Sequence, residues 1–317
     1  MSVYTVIEHH ELEAFLADYE VGALCNFSGI TAGIENTNYF VTTAVGDYVL
    51  TLFEFTPAAE LPFFLALMAH LAEHGVPSAH PLADRAGRFL TTLKGRPAAL
   101  VMRLPGASVA HPNRSHCQAI GQAMARMHLA TQDFSGQRHN DRGPEWRAEV
   151  ASMVAPNLSG EDRRLLAASV EEFRGDRFAG LPSGVIHADL FRDNALFQAH
   201  HLTGLIDFYY AHRGPFIYDL AVAVADWCFD DDKHLLDAAL VGALVGAYHQ
   251  VRPLLVAEGA AWTMSLRAAG LRFWLSRLKD RHFPRDGALV HTKDPEPFKR
   301  VLLYGRGPAE ALAKLLP

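Results

Sequence analysis

The pattern of apolar and polar positions along the chain changes near residue 105. Before it, short runs alternate between apolar and polar residues and are punctuated by glycine, as in half-buried strands. After it, apolar residues recur every three or four positions, as on one face of a helix. In detail, residues 7–19 predict an amphipathic helix, and 24–28, 36–43 and 47–53 predict three strands joined by glycine-containing turns at 29–33 and at Gly46. Residues 59–74 read as a strongly apolar helix stopped by Gly75-Val76-Pro77. Two further strands, 88–93 and 98–104, flank a turn at Lys94-Gly95-Arg96-Pro97.

Pro105-Gly106-Ala107-Ser108 breaks the pattern and is the expected hinge. Helices are then predicted at 114–131, 145–154, 160–178, 215–229, 234–251 and 256–281, with a pair at 295–316. The expected fold class is α+β, with a small β-rich N-terminal lobe, residues 1–104, and a larger, mostly helical C-terminal lobe, residues 105–317.

Composition narrows the function only by exclusion. With 317 residues, 50% hydrophobic and 20% charged, the chain can fill two sizeable cores. A net charge of −6 without any basic run argues against nucleic acid as a partner. The most apolar stretches, 61–72 and 220–229, are too short for a membrane span and contain His or Asp. The first sixteen residues carry Glu8, Glu11 and Glu13 and no apolar core, so no signal peptide is expected. Cys25, Cys117 and Cys228 are odd in number and far apart, which fits a reducing cytoplasm without thiol chemistry. The 17 histidines are scattered and form no His-Cys cluster.

The chemistry is concentrated at His187-Ala188-Asp189-Leu190-Phe191-Arg192-Asp193-Asn194, followed by Ile206-Asp207-Phe208. A lone His-x-Asp is common in turns, where Asp caps backbone N–H groups. The joint pattern H-x-D-x-x-x-x-N and then D-F, each part preceded by an apolar strand, is that of the catalytic and metal loops of kinase-type phosphotransferases. Phosphoryl transfer is mainly positioning and charge neutralisation, and Mg²⁺ takes hard oxygen ligands. Asn194 and Asp207 are therefore the expected Mg²⁺ ligands, and Asp189 is left to face the acceptor hydroxyl. The segment between them reads as two short strands around a polar turn, which brings both metal ligands to one end of a hairpin. His187 is expected to buttress the loop, and Arg192 to neutralise the γ-phosphate.

A bilobal, protein kinase-like fold follows, with ATP as the phosphoryl donor. Gly29, Gly33, Asn36 and Asn38 lie in the first hairpin, where a flexible loop can cover phosphates with backbone N–H groups. Val101, Met102 and Arg103 end the strand before the hinge, where backbone groups can meet adenine. The strand 47–53 departs from the general kinase pattern. It reads Val49-Leu50-Thr51-Leu52 and lacks the Lys that usually holds the α- and β-phosphates, so Glu60 loses its ordinary partner. Lys94, Arg96 and Arg103 are the cations near enough in sequence to compensate.

These strings resemble the aminoglycoside phosphotransferase and choline kinase superfamily, and within it the whole chain resembles bacterial homoserine kinases. The resemblance rests on Gly33-Ile34-Glu35-Asn36-Thr37-Asn38-Tyr39-Phe40, Tyr48-Val49-Leu50-Thr51-Leu52-Phe53-Glu54, Glu60-Leu61-Pro62-Phe63-Phe64 and the octapeptide, and continues through Tyr218-Asp219-Leu220-Ala221 and Arg272-Phe273-Trp274-Leu275-Ser276-Arg277. It implies ATP-dependent phosphorylation of the L-homoserine hydroxyl on the route to threonine, with Thr expected at position 51.

Homoserine is a zwitterion, so its site needs a cation and acceptors for an ammonium. Arg272, Arg277 and Arg281 are candidates for the first role; Asp226 and the run Asp230-Asp231-Asp232 for the second. Asp219 is expected to brace the catalytic loop. Trp227, Trp274 and Tyr209 either wall the pocket or fill the core. Two alternatives stay open from the residues alone: another small alcohol as acceptor (choline, ethanolamine, methylthioribose, hydroxylysine or an aminoglycoside), or a nucleotide-binding pseudokinase, suggested by Thr51.

Overall fold

A computed structural model describes residues 4–30, 36–230, 232–233, 235–284 and 293–307. Gly33, Asp231 and the second of the two helices expected over 295–316 lie outside these residues. The described residues divide into two compact units, one up to Pro105 and the other from Gly106 onward.

The first unit is built on α1 (His9–Leu16), β1 (Leu24–Ile30), β2 (Asn36–Thr43), β3 (Asp47–Phe53), α2 (Leu61–Glu73), β4 (Thr91–Leu93) and β5 (Arg96–Met102). The five strands form one antiparallel sheet in the order β1-β2-β3-β5-β4. Leu12, Phe15 and Leu16 of α1 pack with Tyr39, Val41, Tyr48, Leu50 and Leu52, so the strand alternation predicted from sequence faces a real core.

The β4–β5 hairpin is tighter than expected. Leu93 pairs with Arg96, leaving a two-residue loop of Lys94 and Gly95 with φ of 51° and 72°, the two positive values that a type I′ turn requires. The expected strand 88–93 shrinks to 91–93 because Asp84 folds the preceding residues into a turn. Its carboxylate accepts the N–H groups of Ala86 and Arg88 at 3.0 and 2.8 Å.

The second unit holds α3 (Arg114–Ala130), α4 (Pro144–Val154), α5 (Gly160–Glu172), β6 (Ser183–Ile186), β7 (Ala195–Gln198), β8 (His201–Leu205), β9 (His212–Pro215), α6 (Phe216–Trp227), the two-residue strands β10 (Phe229–Asp230) and β11 (Leu235–Leu236), α7 (Ala238–Val251), α8 (Val256–Ala260), α9 (Trp262–His282) and α10 (Glu296–Tyr304). Helix 160–178 stops at Glu172, and helix 234–251 starts only at Ala238, where the Asp237 carboxylate caps the N–H groups of Ala239 and Leu240. The continuous helix expected over 256–281 is two helices that join at Ala261.

Helices α3 and α7 approach so closely at Gly121 that a Cβ there would lie 2.1 Å from the Leu244 carbonyl oxygen. Trp227, Trp262 and Trp274 are buried in this unit. Trp227 and Trp274 are thus core residues. Among the described residues no helix is long and apolar enough to cross a membrane.

Candidate active site

Strand β6 delivers His187 and Asp189. It pairs antiparallel with β9, Ile186 opposite His212, a pairing the sequence reading missed because His-Arg-Gly-Pro carries no strand signal. After Ile186 the backbone makes an abrupt turn. Ala188 has φ of +64°, in the left-handed region that residues with a Cβ rarely occupy.

Asp219 of α6 holds this turn. Its carboxylate accepts the N–H of His187 at 3.0 Å and of Ala188 at 2.7 Å, and its Oδ2 also accepts from His128 Nε2 at 2.9 Å. Burial alone would push the Asp219 carboxyl up; His128 and these donors outweigh it and hold it below the usual carboxylate range. Asp219 therefore braces the loop, as expected. The brace continues inward: Tyr248 donates to His128 Nδ1 at 2.7 Å, and Arg252 donates to Tyr248 at 3.2 Å and to Glu258 at 3.0 Å. Every polar group along this row is buried.

His187 connects the catalytic loop to the metal loop. Its Nε2 must donate to the Ile206 carbonyl, 3.0 Å away, because a carbonyl can only accept. Burial pushes its pKa down, so it stays neutral and buttresses rather than acting as a base. Trp227 Nε1 anchors the same loop by donating to the Leu190 carbonyl at 3.0 Å.

The metal ligands expected from sequence flank one end of the β7–β8 hairpin. Ala195 pairs with Leu205, and Ile206 N–H donates to the Asn194 carbonyl at 3.0 Å, which sets Asn194 beside the residue preceding Asp207. Asn194 Nδ2 donates to the Asp189 carbonyl at 2.8 Å and to its carboxylate at 3.2 Å. The planar amide then turns Oδ1 the other way, as an oxygen ligand for a hard cation must point. Asp207 sits at φ +64°, in the left-handed region like Ala188. An amide oxygen and a carboxylate suit Mg²⁺, which completes its shell with waters and phosphates.

Arg192 and Asp226 occupy each other. Asp226 Oδ2 accepts Arg192 N–H at 2.8 Å and Nε at 3.1 Å, and Arg192 Nη1 donates to the Ala110 carbonyl at 3.1 Å. Asp226 thus supports the loop through Arg192. Arg277 and Arg281 share a face, as their spacing predicts, and both turn to Asp294, at 2.7 Å (carbonyl) and 2.9 Å (carboxylate). Asp230 is taken by Lys233 at 2.6 Å.

Arg272 behaves differently. It lines a cavity with Ala188, Tyr210, Tyr218, Arg138 and Arg142. Burial pushes the Tyr218 hydroxyl up against the pull of Arg272 and Arg147, with Asp219 and Asp189 adding to the rise, so Tyr218 lies within electrostatic reach of both Arg272 and Asp189. Arg138 and Arg142, on the segment between α3 and α4, were missed in the sequence. The cluster Arg138-His139-Asn140-Asp141-Arg142 was its only trace, and such clusters usually mark solvated loops.

In the first unit, Gly29 pairs with Tyr39 and Ile30 with Asn38 at the end of the β1–β2 ladder. Asn36 is buried, its Oδ1 without a hydrogen-bond partner among the described residues. Thr51, where the kinase Lys is absent, donates to Asn38 Oδ1 at 2.7 Å, so this strand position orients the hairpin rather than presenting a charge. Lys94 pairs with Glu11 at 2.9 Å and Arg96 with Glu54 at 3.3 Å, while Arg103 stacks 4.1 Å over Phe40. At the strand end the N–H groups of Met102 and Arg103 already donate to the carbonyls of His80 and Asp47, at 2.9 and 3.1 Å. Those two N–H groups are thus occupied, and adenine recognition there would fall to the carbonyls.

The H-x-D-x-x-x-x-N and D-F loops, held together by His187 Nε2 on the Ile206 carbonyl and by Ile206 N–H on the Asn194 carbonyl, in a chain with a five-stranded antiparallel sheet and a larger helical part, define a phosphotransferase of kinase-like fold. The chain belongs to the phosphotransferase enzyme family, whose model matches residues 26–254. It is 51% identical over 304 residues to a homoserine kinase of Methylobacillus flagellatus, covering 96% of this chain and 95% of that protein. It is 48% identical over 302 residues to a homoserine kinase of Methylobacillus glycogenes, covering 95% of each. Among solved structures, an amicoumacin kinase in complex with AMP-PNP, Ca²⁺ and Ami has the same fold, with a TM-score of 0.70, 16% identity, and coverage of 98% of this chain and 96% of that one.

Proposed function

We infer that the protein transfers the γ-phosphoryl group of ATP to the side-chain hydroxyl of L-homoserine, giving O-phospho-L-homoserine and ADP. The observation that carries this is the joint presence of the complete H-x-D-x-x-x-x-N and D-F set and of near full-length identity to homoserine kinases. A cytoplasmic setting accords with the cysteine usage.

The homoserine oxygen forms a bond to the γ-phosphorus as the bond to the β,γ-bridging oxygen breaks, and the hydroxyl proton leaves through Asp189. Asp189 accepts a hydrogen bond from the hydroxyl and orients it in line. Asn194 and Asp207 would hold Mg²⁺, which when bound neutralises charge on the phosphates. Arg192, fixed by Asp226, adds a positive charge to the loop after Asp189 without needing to move. The β1–β2 hairpin, with Gly29, Asn36 and Asn38, serves the phosphates. Thr51 keeps Asn38 in place for that task.

An assay of ADP release with L-homoserine, choline, ethanolamine, methylthioribose, hydroxylysine and an aminoglycoside tests the reading. Homoserine-dependent ADP, with phosphohomoserine identified by mass, is expected. Preference for a cationic alcohol, or no ADP with any acceptor, would overturn it.

A further inference from the structure

We propose that Arg142 and Arg272 together form a carboxylate clamp that selects an amino acid, and not an amino alcohol, as the acceptor; this rests on the assignment of homoserine above. Arg272 is only 6% exposed, yet among the described residues its one hydrogen bond is to Ser276 Oγ, at 3.0 Å. Arg142 has its Nε buried with no hydrogen-bond partner among the described residues. Neither guanidinium has an acidic partner among the described residues, whereas their neighbour Arg138 is matched by Asp141.

The two groups converge on one ring. The Arg272 guanidinium lies 4.9 Å and that of Arg142 5.4 Å from the centroid of Tyr210, with Phe273 and Trp146 as further aromatic contacts at 4.0 and 5.0 Å. Aromatic faces stabilise a cation but accept none of its N–H donors in the plane. A guanidinium carries five such donors in a planar fork, and a charge held away from water without an anion is unfavourable unless a ligand brings one. Two unmatched guanidinium groups beside Tyr210 are therefore a site for a planar anion that accepts in bidentate fashion, which is a carboxylate.

The position fits an α-amino acid with a terminal hydroxyl. Ala188, which immediately precedes Asp189, lines the same cavity as Arg142 and Arg272. In homoserine three carbons lie between the carboxylate carbon and the hydroxyl oxygen, so one end can reach the clamp while the other meets Asp189. 3-Aminopropan-1-ol, the same molecule without its carboxylate, leaves both arginines unmatched and should be rejected.

The test uses the full-length protein with L-homoserine, 3-aminopropan-1-ol and the unreactive L-2-aminobutyrate. In R272Q the ratio of kcat/KM for homoserine to that for 3-aminopropan-1-ol should fall by about 100-fold, mainly through KM for homoserine, with partial recovery in R272K. Calorimetric binding of L-2-aminobutyrate should weaken at least about tenfold in R272Q and in R142Q. R142Q changes a half-exposed side chain and serves if R272Q does not fold. An unchanged ratio, or equal losses for both acceptors, would overturn the clamp while leaving the kinase reading intact. If the wild type binds L-2-aminobutyrate in an arginine-dependent way but does not phosphorylate homoserine, the clamp stands and the acceptor assignment fails.

Discussion

The carboxylate of Asp219 holds the N–H of Ala188 at 2.7 Å, at a backbone conformation that Ala188 would not adopt unaided. One buried side chain thereby fixes the direction in which Asp189 leaves the strand.

Asp219→Ala should therefore damage both stability and chemistry. It leaves two loop N–H groups and His128 without their acceptor, and removing one partner from a buried charged network typically destabilises by about 3–5 kcal/mol. Urea denaturation should show that loss. In Asp219→Asn, which keeps an acceptor but not the charge, kcat should fall further than KM rises. Wild-type kcat in a folded Asp219→Asn protein would remove the positioning role.

Asp226 should act through Arg192. Asp226→Ala releases both Arg192 contacts, and a part-buried ion pair of this kind is worth about 1–3 kcal/mol. Its kcat should drop together with that of Arg192→Ala, and the double variant should lose little more than either alone. Additive losses would show that the two residues work separately.

Packing at Gly121 makes a prediction independent of catalysis. A methyl group there meets the Leu244 carbonyl, so Gly121→Ala should destabilise by about 2–3 kcal/mol while the remaining folded enzyme keeps its kcat. An unchanged melting temperature would contradict the close approach of α3 and α7.

Acidification should destabilise the fold well above the carboxylate range. Burial pushes the pKa values of His128, His187 and His212 below the ordinary 6.5, against the pull of Asp219 and of backbone carbonyls. The unfolded chain then binds more protons than the folded one between each lowered value and 6.5. Stability is full above that upper limit and is lost as pH falls through the window. Asp219, also lowered, adds a further loss at lower pH. The melting temperature should decline from pH 7 to pH 5; a flat profile would mean that these imidazoles are not buried as neutral groups.

What could be read from the sequence was local. The octapeptide, Asp207 and the β7–β8 hairpin lie within 21 consecutive residues, and their chemistry depends on spacing along the chain. The bracing of that loop does not: Asp219 was legible as a support, but His128, Tyr248 and Arg252 join it from helices distant in sequence. Charge alone also left the partners of charged groups unread. Arg277, Arg281 and Asp226 were reasonable substrate ligands by type, and only the fold shows that Asp294 and Arg192 occupy them. Arg142 had no periodic or motif signal, because its proposed role rests on having no acidic partner among the described residues beside Tyr210.

Phosphoryl transfer to homoserine through Asp189 is best measured as homoserine-dependent ADP release in the wild type and in Asp189→Ala, with nucleotide binding followed in parallel. The wild type should turn over homoserine with formation of phosphohomoserine. Asp189→Ala should lose at least about 100-fold in kcat while still binding ATP, since general-base and positioning groups contribute on that scale. Undiminished turnover by Asp189→Ala would contradict the account.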